Sequence, residues 1–322
     1  MILLCGVPSE PPLRLVADAL QARGADVVMF NQRNFADCRM TLEIAGADVG
    51  GRLSIAGEEH ELERFGGLCV RVMDDRCLPE LDGEPADSAR RRRCRSLHET
   101  LMRWLEVAPG CVVNRSAPSG SNMSKPFQAQ LISPHGLLVP ETLITDDPAL
   151  VGEFQARHGR VVYKSISGVR SVVQTLEEAD DARLDRIRWC PTQFQALVEG
   201  IDVRVHVVDD EVYAAAVSSS AVDYRYAIDQ TGEPARLREV VLSDELAERC
   251  VALARGLGLV LAGIDLRVTA DDEVYCFEVN PQPAFSYYEH NTGLPIADAI
   301  ARCLIAGRAG TRAPACGSVD LA

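Results

Sequence analysis

Two short runs in the C-terminal third carry polar groups on an otherwise apolar alternation: Gly263-Ile264-Asp265-Leu266-Arg267 and Phe277-Glu278-Val279-Asn280-Pro281. Strand period two puts Asp265 with Arg267 on one face, and Glu278 with Asn280 on another. Tyr275, Phe277 and Val279 then form the opposite, apolar face. The runs 263–269 and 274–280 flank Asp271-Asp272, residue types suited to a tight turn, so they read as the arms of a hairpin. Pairing Ala270 with Glu273 and counting outward places Asp265 opposite Glu278. Two carboxylates facing each other across a ladder repel unless a cation sits between them. Asp265, Glu278 and Asn280 make an oxygen-donor set suited to Mg2+, with Mn2+ as the alternative ion, and Pro281 ends the strand beside them. The competing reading is a hairpin with charges on its wet face.

A hard cation beside a phosphate needs other cations nearby. Lys164 closes an apolar run and enters Ser165-Ile166-Ser167-Gly168-Val169-Arg170-Ser171. Small residues expose backbone N–H groups, and Lys164 and Arg170 add charged donors, which suits a phosphate chain. A mobile hairpin tip is the other reading, and no GxxxxGK[ST] motif is present. Lys125 begins a helix predicted over 124–135 and, taken alone, reads as a solvated helix end. Asp202, Arg204 and His206 alternate with valines, so they share one strand face. An arginine in mid-strand asks for an anionic partner, either a carboxylate or a ligand phosphate. His206 reads as a structural or hydrogen-bonding residue. Arg90 to Arg93 with Arg95 form a basic run, either a solvated helix face or a dock for an acidic peptide or carboxylate, to which Arg71 could add.

The elements that must position these residues are legible from periodicity. The start reads β-α-β: a strand at 2–7, a helix at 13–24 closed by Gly24, and a strand at 25–30. Runs 41–46 and 51–57 read as a hairpin turning at Asp48-Val49-Gly50-Gly51, followed by a strand at 66–72 and an arginine-rich helix at 88–106. Residues 115–121 have linker composition and mark a boundary, so 1–118 is expected to be a small α/β domain. Residues 119–195 and 196–307 are expected to form two further subdomains, and 308–322 a disordered tail. In the last subdomain, strands turn at Asp209-Asp210, a helix starts with Ser243 as its N-cap, and a closing helix covers 295–306.

Composition narrows the function classes. The chain has 322 residues, 47% hydrophobic, with a net charge of −14. That balance argues against nucleic-acid binding, which needs a basic face. The N-terminus lacks a basic n-region, no window is long enough for a membrane helix, and the 11 cysteines are dispersed with no CxxC pair. A soluble, cytoplasmic protein with reduced thiols is expected.

In order along the chain, Lys125, YKSISGVR with Lys164, FQALVEGIDVRVHV, GIDLRV and FEVNPQPAF resemble the ATP-grasp superfamily over about residues 115–307. The preceding α/β segment is similar to a pre-ATP-grasp domain. Within the superfamily the chain looks like ribosomal-protein glutamate ligases and graspetide (microviridin-type) peptide ligases, with a similar DYRYA stretch at 223–227. The resemblance implies an α/β (α+β) ATP-grasp fold whose two subdomains hold ATP between them. It implies Lys125 and Lys164 on the phosphates, with Ser165, Ser167, Gly168 and Arg170 closing over them. Main-chain groups of Gln195, Ala196, Leu197 and Val198 would line adenine, Glu199 would take the ribose, and Asp202 would stand nearby. Many relatives carry Glu where this chain has Ala196, which leaves main-chain contacts there. Arg204 would face the reacting phosphate, Arg267 would assist with substrate or phosphate charge, and Asp265, Glu278 and Asn280 would hold Mg2+.

The implied chemistry is carboxylate activation by ATP and amide (or ester) formation through an acyl phosphate. Such a reaction depends on charge neutralisation and positioning. The expected substrate is a peptide or protein. A ligase of free amino acids or a small secondary metabolite, and a non-catalytic ATP-binding scaffold, are the alternatives, and a homo-oligomer is compatible with the relatives.

Overall fold

The computed structural model describes residues 1–166, 173–177, 180–219 and 232–307. The chain opens with β1 (Ile2–Gly6), α1 (Pro11–Ala22), β2 (Val27–Asn31), β3 (Cys38–Ala45), β4 (Asp48–Ile55), β5 (Glu58–Glu61), β6 (Gly67–Arg71), α2 (Ala89–Val107) and β7 (Cys111–Val113). Strands in the order β2-β1-β6-β7 form a parallel sheet. Both of its faces are covered, so β1 is buried throughout. Ile2 and Leu4 join Leu13, Val16 and Leu20 of α1 in one core. Leu3 and Cys5 join Leu97, Leu101 and Trp104 of α2 in another.

The antiparallel β3-β4-β5 sheet corrects an expectation. Its first turn lies at Gly46-Ala47, with Gly46 at φ 64°, and Asp48 to Gly51 belong to β4. Gly51 is there because a Cβ would meet the Thr41 carbonyl oxygen at 2.0 Å. The linker expected at 115–121 is likewise ordered. It forms α3 (Ser116–Ser119) and a 3-10 turn at Gly120–Met123, because the Glu106 carboxylate accepts from the N–H groups of Ser116 and Ala117.

Next come α4 (Lys125–Ile132), β8 (Thr142–Thr145), α5 (Pro148–His158), β9 (Val161–Ser165), β10 (Gln174–Thr175), α6 (Asp181–Leu184) and β11 (Thr192–Ala196). Their strands make an antiparallel sheet in the order β10-β9-β11-β8. A second antiparallel sheet follows, in the order β14-β13-β12-β15-β16. It is built from β12 (Ile201–Val208), β13 (Glu211–Ser218), β14 (Arg236–Val240), β15 (Leu261–Val268) and β16 (Val274–Asn280), with α7 (Asp244–Gly256) between β14 and β15. The turn between β12 and β13 is Asp209-Asp210, as expected, with Asp209 at φ 54°. Val203, Val205 and Val207 face a core with Ile132 of α4 and Cys250 and Leu253 of α7. Asp202, Arg204 and His206 therefore take the other face. The chain then forms α8 (Ser286–Thr292) and α9 (Ile296–Ala306). Helix α9 leaves the second sheet and lies on the first one, where Ile300 and Leu304 complete the core of α1 and β1.

The β15–β16 hairpin places Asp265 opposite Glu278 by a route the sequence did not suggest. Its turn is not Asp271-Asp272: Val268 pairs with Val274, and Thr269–Glu273 form the loop, with Thr269 and Glu273 hydrogen-bonded across it. That register alone would bring Phe277 opposite Asp265. An extra residue in β16, between Cys276 and Glu278, shifts the ladder back by one. The bulge also breaks the expected alternation. Cys276 and Val279 both enter the core, while Phe277 and Glu278 both face a cleft.

Asn114, after β7, ties the first sheet to the end of β16. Its Nδ2 donates to the carbonyls of Leu261 and Pro281 at 2.6 Å each, and its Oδ1 accepts from Val260 and Leu261 N–H at 2.8 and 3.0 Å. Asn114→Leu would leave these buried groups without partners. We expect a loss of about 3 kcal/mol in urea unfolding, since each stranded buried group costs roughly 1–3 kcal/mol. A loss below about 1 kcal/mol would mean the junction is held by other contacts.

Candidate active site

Three neighbouring strands present a row of charges. Arg204 on β12 is opposite Asp265 on β15, which is opposite Glu278 on β16. Arg204 Nη1 donates to Asp265 Oδ1 at 2.5 Å. Lys125 at the start of α4 completes the row, with Nζ 2.6 Å from Glu278 Oε1 and 3.1 Å from Asn122 Oδ1. The helix is fixed for this purpose from both ends of its first turn. Ser124 Oγ accepts from Phe127 N–H. Gln128, buried on the inner side, donates to the Val279 carbonyl at 2.7 Å and accepts from Val279 N–H at 3.0 Å. Lys125 is thus held one residue away from its partner strand's Glu278.

Electrostatics keep Glu278 ionised. Burial pushes the Glu278 carboxyl up, but Lys125, Lys164 and Arg204 together hold it below the usual glutamate value. The Arg204 guanidinium is 7% exposed and lies 5.6 Å from the centre of the Tyr288 ring. It passes over Gly263, where a Cβ would meet Arg204 Nη2 at 2.2 Å and Pro283 Cβ at 2.6 Å. His206 is fully buried, packs edge-on against Tyr288 at 4.9 Å, and neither ring nitrogen has a hydrogen-bond partner among the described residues. Burial, with Arg204's charge second, pushes its pKa well down, so the ring is neutral.

The opposite wall comes from the β8–β11 sheet. Lys164 on β9, opposite Gln193, and the segment Gln195–Val198 face Asp265, Phe277 and Glu278 across a cleft of about 770 Å3. A second chamber of about 1010 Å3 shares Lys164, Gln195 and Phe277 and extends to Lys125. The lining combines apolar side chains (Val162, Leu197, Phe277) with charged ones (Lys164, Asp202, Asp265, Arg267, Glu278). Such a combination suits a nucleotide, whose base takes apolar contacts and whose phosphates take charged ones. Several main-chain groups of the segment are already engaged. Ala196 and Leu197 N–H donate to the carbonyls of Glu141 and Arg160, and the Val198 carbonyl accepts from Arg267 Nη1 at 2.8 Å.

Asp202 lines the cleft and accepts from Arg267 Nε at 2.7 Å. Glu199 lies outside the cleft lining, exposed, with its carboxylate 2.6 Å from Arg160 Nη1. Ser165 ends β9. Ser167, Gly168 and Arg170, like the DYRYA stretch and the tail from 308, fall outside the described residues. Asn280 stands two residues beyond Glu278, and its Oδ1 accepts from Gln282 N–H at 2.8 Å. Among the described residues no three His, Cys, Asp or Glu side chains gather into a closed metal site. Two facing carboxylates and a nearby amide give a partial, all-oxygen donor set, which fits Mg2+ shared with phosphate oxygens.

The basic run on α2 serves its own neighbourhood. Arg91 donates to the Leu81 and Glu84 carbonyls, Arg93 to that of Cys38, and Arg95 to the Asp75 carboxylate. Arg71 pairs with Glu10 at 2.7 Å and reaches the Pro283 carbonyl at 3.4 Å. Sequence reasoning missed Gln128, Gly263 and Phe277. Gln128 had one signal, a polar residue on the inner side of a short apolar helix, whereas Gly263 and Phe277 depend on register.

Two sheets enclosing a cleft with this charge arrangement define a nucleotide-binding ATP-grasp architecture. Residues 130–304 match the model of the RimK-like ATP-grasp domain, more than half of the chain, and the chain belongs to that family. A probable alpha-L-glutamate ligase of Rhodopirellula baltica is 26% identical over 218 residues, 62% of this chain and 51% of that protein. The chain therefore spans about half the length of that relative. The ATP-grasp ligase PsnB, solved with a minimal precursor, Mg and ADP, is 29% identical with a TM-score of 0.77, over 95% of this chain and 96% of that one. The macrocyclase MdnC of Microcystis aeruginosa, solved with precursor peptide MdnA, shares the fold with a TM-score of 0.78 at 23% identity, over 95% of this chain and all of that one. No helix among the described residues is long and apolar enough to cross a membrane.

Gly263→Ala tests the path of Arg204. The variant is expected to fold, to show Arg204 displaced from Asp265 in a crystal structure, and to lose at least about tenfold in ATP-dependent turnover. Wild-type turnover with the pair intact would mean the side chain reaches Asp265 equally well around a β-carbon.

Proposed function

We propose that the protein is an ATP-dependent carboxylate–amine ligase acting on a peptide, with ADP and phosphate as products. The observation that carries the reading is the row Arg204–Asp265–Glu278–Lys125 facing Lys164 across a cleft that Leu197, Val162 and Phe277 also line. The peptide substrate is supported by the likeness to PsnB, solved with its minimal precursor, at 29% identity and a TM-score of 0.77.

In the proposed reaction a substrate carboxylate oxygen attacks the γ-phosphorus of ATP, and the bond to the ADP oxygen breaks. An amine then attacks the acyl carbon, phosphate leaves with the bonding pair, and the amine loses a proton. Asp265, Glu278 and Asn280 would hold Mg2+, which supplies charge neutralisation at the phosphate oxygens when bound. Lys125 and Lys164 would neutralise the phosphates. Arg204, held over Gly263 and against Tyr288, would keep a fixed positive charge beside the transferring group. Gln195–Val198 would flank the base. With Glu199 on Arg160 outside the cleft lining, Asp202 is the nearer carboxylate for the ribose hydroxyls. A ligase of free amino acids is the second reading, favoured by the names of the glutamate-ligase relatives.

ADP release should be measured with ATP, Mg2+ and a panel of peptides and free amino acids rich in carboxylates and amines. Stimulation by a peptide, with a product lighter by one water per bond formed, is expected. Stimulation by free amino acids alone would favour the second reading, and tight ATP binding without stimulation by any member would favour a non-catalytic scaffold. Glu278→Gln is expected to reduce turnover at least about a hundredfold and to raise the Mg2+ requirement. Full activity in that variant would remove Glu278 from the metal site.

A further inference from the structure

Arg267 differs from the other cations of the cleft in what holds it. Its Nε donates to Asp202 Oδ1 at 2.7 Å, its Nη1 donates to the Val198 carbonyl at 2.8 Å, and its guanidinium lies 5.1 Å from the centre of the Phe277 ring. Each contact has a cause in the backbone. Asp202 is directly opposite Arg267 in the β12–β15 ladder. The extra residue in β16 turns Phe277 onto the cleft face. At Gly200 a Cβ would meet the Val198-proximal strand at the Val268 carbonyl oxygen, 2.3 Å away, so glycine lets the chain cross β15 closely there.

The segment 195–198, strand β12 and the Phe277 ring, three walls of the cleft, therefore meet at one planar fork. A lysine offers a compact ammonium in place of a planar fork, so it would not hold the carboxylate, the carbonyl and the ring face at their present separations. Arg267 also stands two residues along β15 from Asp265, about 7 Å at strand rise, and its charge is spent on Asp202. In place of the phosphate or substrate role expected from sequence, we infer that Arg267 is a positioning residue for the nucleotide base, fixing the segment 195–198 against Phe277. This inference rests on the nucleotide-binding reading of the cleft.

The test separates affinity from rate. Binding of AMPPNP and of the guanine analogue GMPPNP, each with Mg2+, is measured by calorimetry on the full chain, alongside ADP release at saturating ATP. Arg267→Met is expected to weaken AMPPNP about tenfold and to narrow the preference for adenine, with the maximal rate within about threefold of wild type. Arg267→Lys should restore only part of the affinity. Arg267→Met combined with Phe277→Leu should lose less than the two single losses together, because the side chains act as one contact. Should Arg267→Met fail to fold, Arg267→Gln and Arg267→Lys read the same split between affinity and rate. Unchanged affinity and base preference in the folded variants, or a maximal rate lowered a hundredfold with affinity intact, overturns the inference alone. A wild-type chain that binds no adenine nucleotide overturns the ligase reading and this inference with it.

Discussion

Two carboxylates on adjacent strands, Asp265 and Glu278, face each other at the centre of the molecule, and much of the surrounding structure serves to make that tolerable. Like charges opposed across a ladder destabilise a sheet. Here each is answered by a cation brought from a different element: Arg204 from the next strand and Lys125 from a helix that crosses the sheet edge. The helix can be there because Gln128 replaces a missing strand neighbour for Val279, satisfying both its main-chain groups. Arg204 can be there because Gly263 has no side chain. A site of this kind holds positive and negative charge in near balance at partial burial, so a charged ligand or ion can enter by exchange of partners without uncovering an isolated charge.

The fold and the charged end of the cleft were legible in the sequence because they rest on short-range regularities. Alternation in 201–208 placed Asp202, Arg204 and His206 on one face, and Ser243 marked a helix start. The β15–β16 hairpin shows the limit of the method. Asp265 does face Glu278, yet the turn is longer than Asp271-Asp272 and a bulge restores the register, so two departures cancel. Period two carries no information about a bulge, and the face of Phe277 was misassigned for that reason. The turn expected at Asp48–Gly51 failed because glycine has two uses, and Gly51 serves close backbone approach instead of reversal. The basic run on α2 was readable as charge, but its partners, the Leu81, Glu84 and Cys38 carbonyls and the Asp75 carboxylate, are set by tertiary packing, which composition cannot reveal.

The prolines after β16 serve a junction. Pro281 and Pro283 offer their carbonyls to Asn114 and Arg71, residues at the carboxyl ends of β7 and β6. In an open parallel sheet those ends are where ligands gather. The loop that follows β16 is therefore seated on the N-terminal sheet, and any molecule approaching Arg204 meets both units at once.

Helix α9 gives this arrangement a temporal side. Its side chains Ile300 and Leu304 cover the face of the first sheet that α1 leaves open, and it fits so closely at Gly67 that a Cβ there would meet the Leu304 carbonyl oxygen at 2.4 Å. On the ribosome, strands β1, β6 and β7 emerge roughly 180 to 290 residues before the helix that shields them, a delay of roughly 10–60 s at ordinary elongation rates. During that interval an apolar sheet face waits in water. The N-terminal core is therefore completed only after the strands of the second sheet have been made.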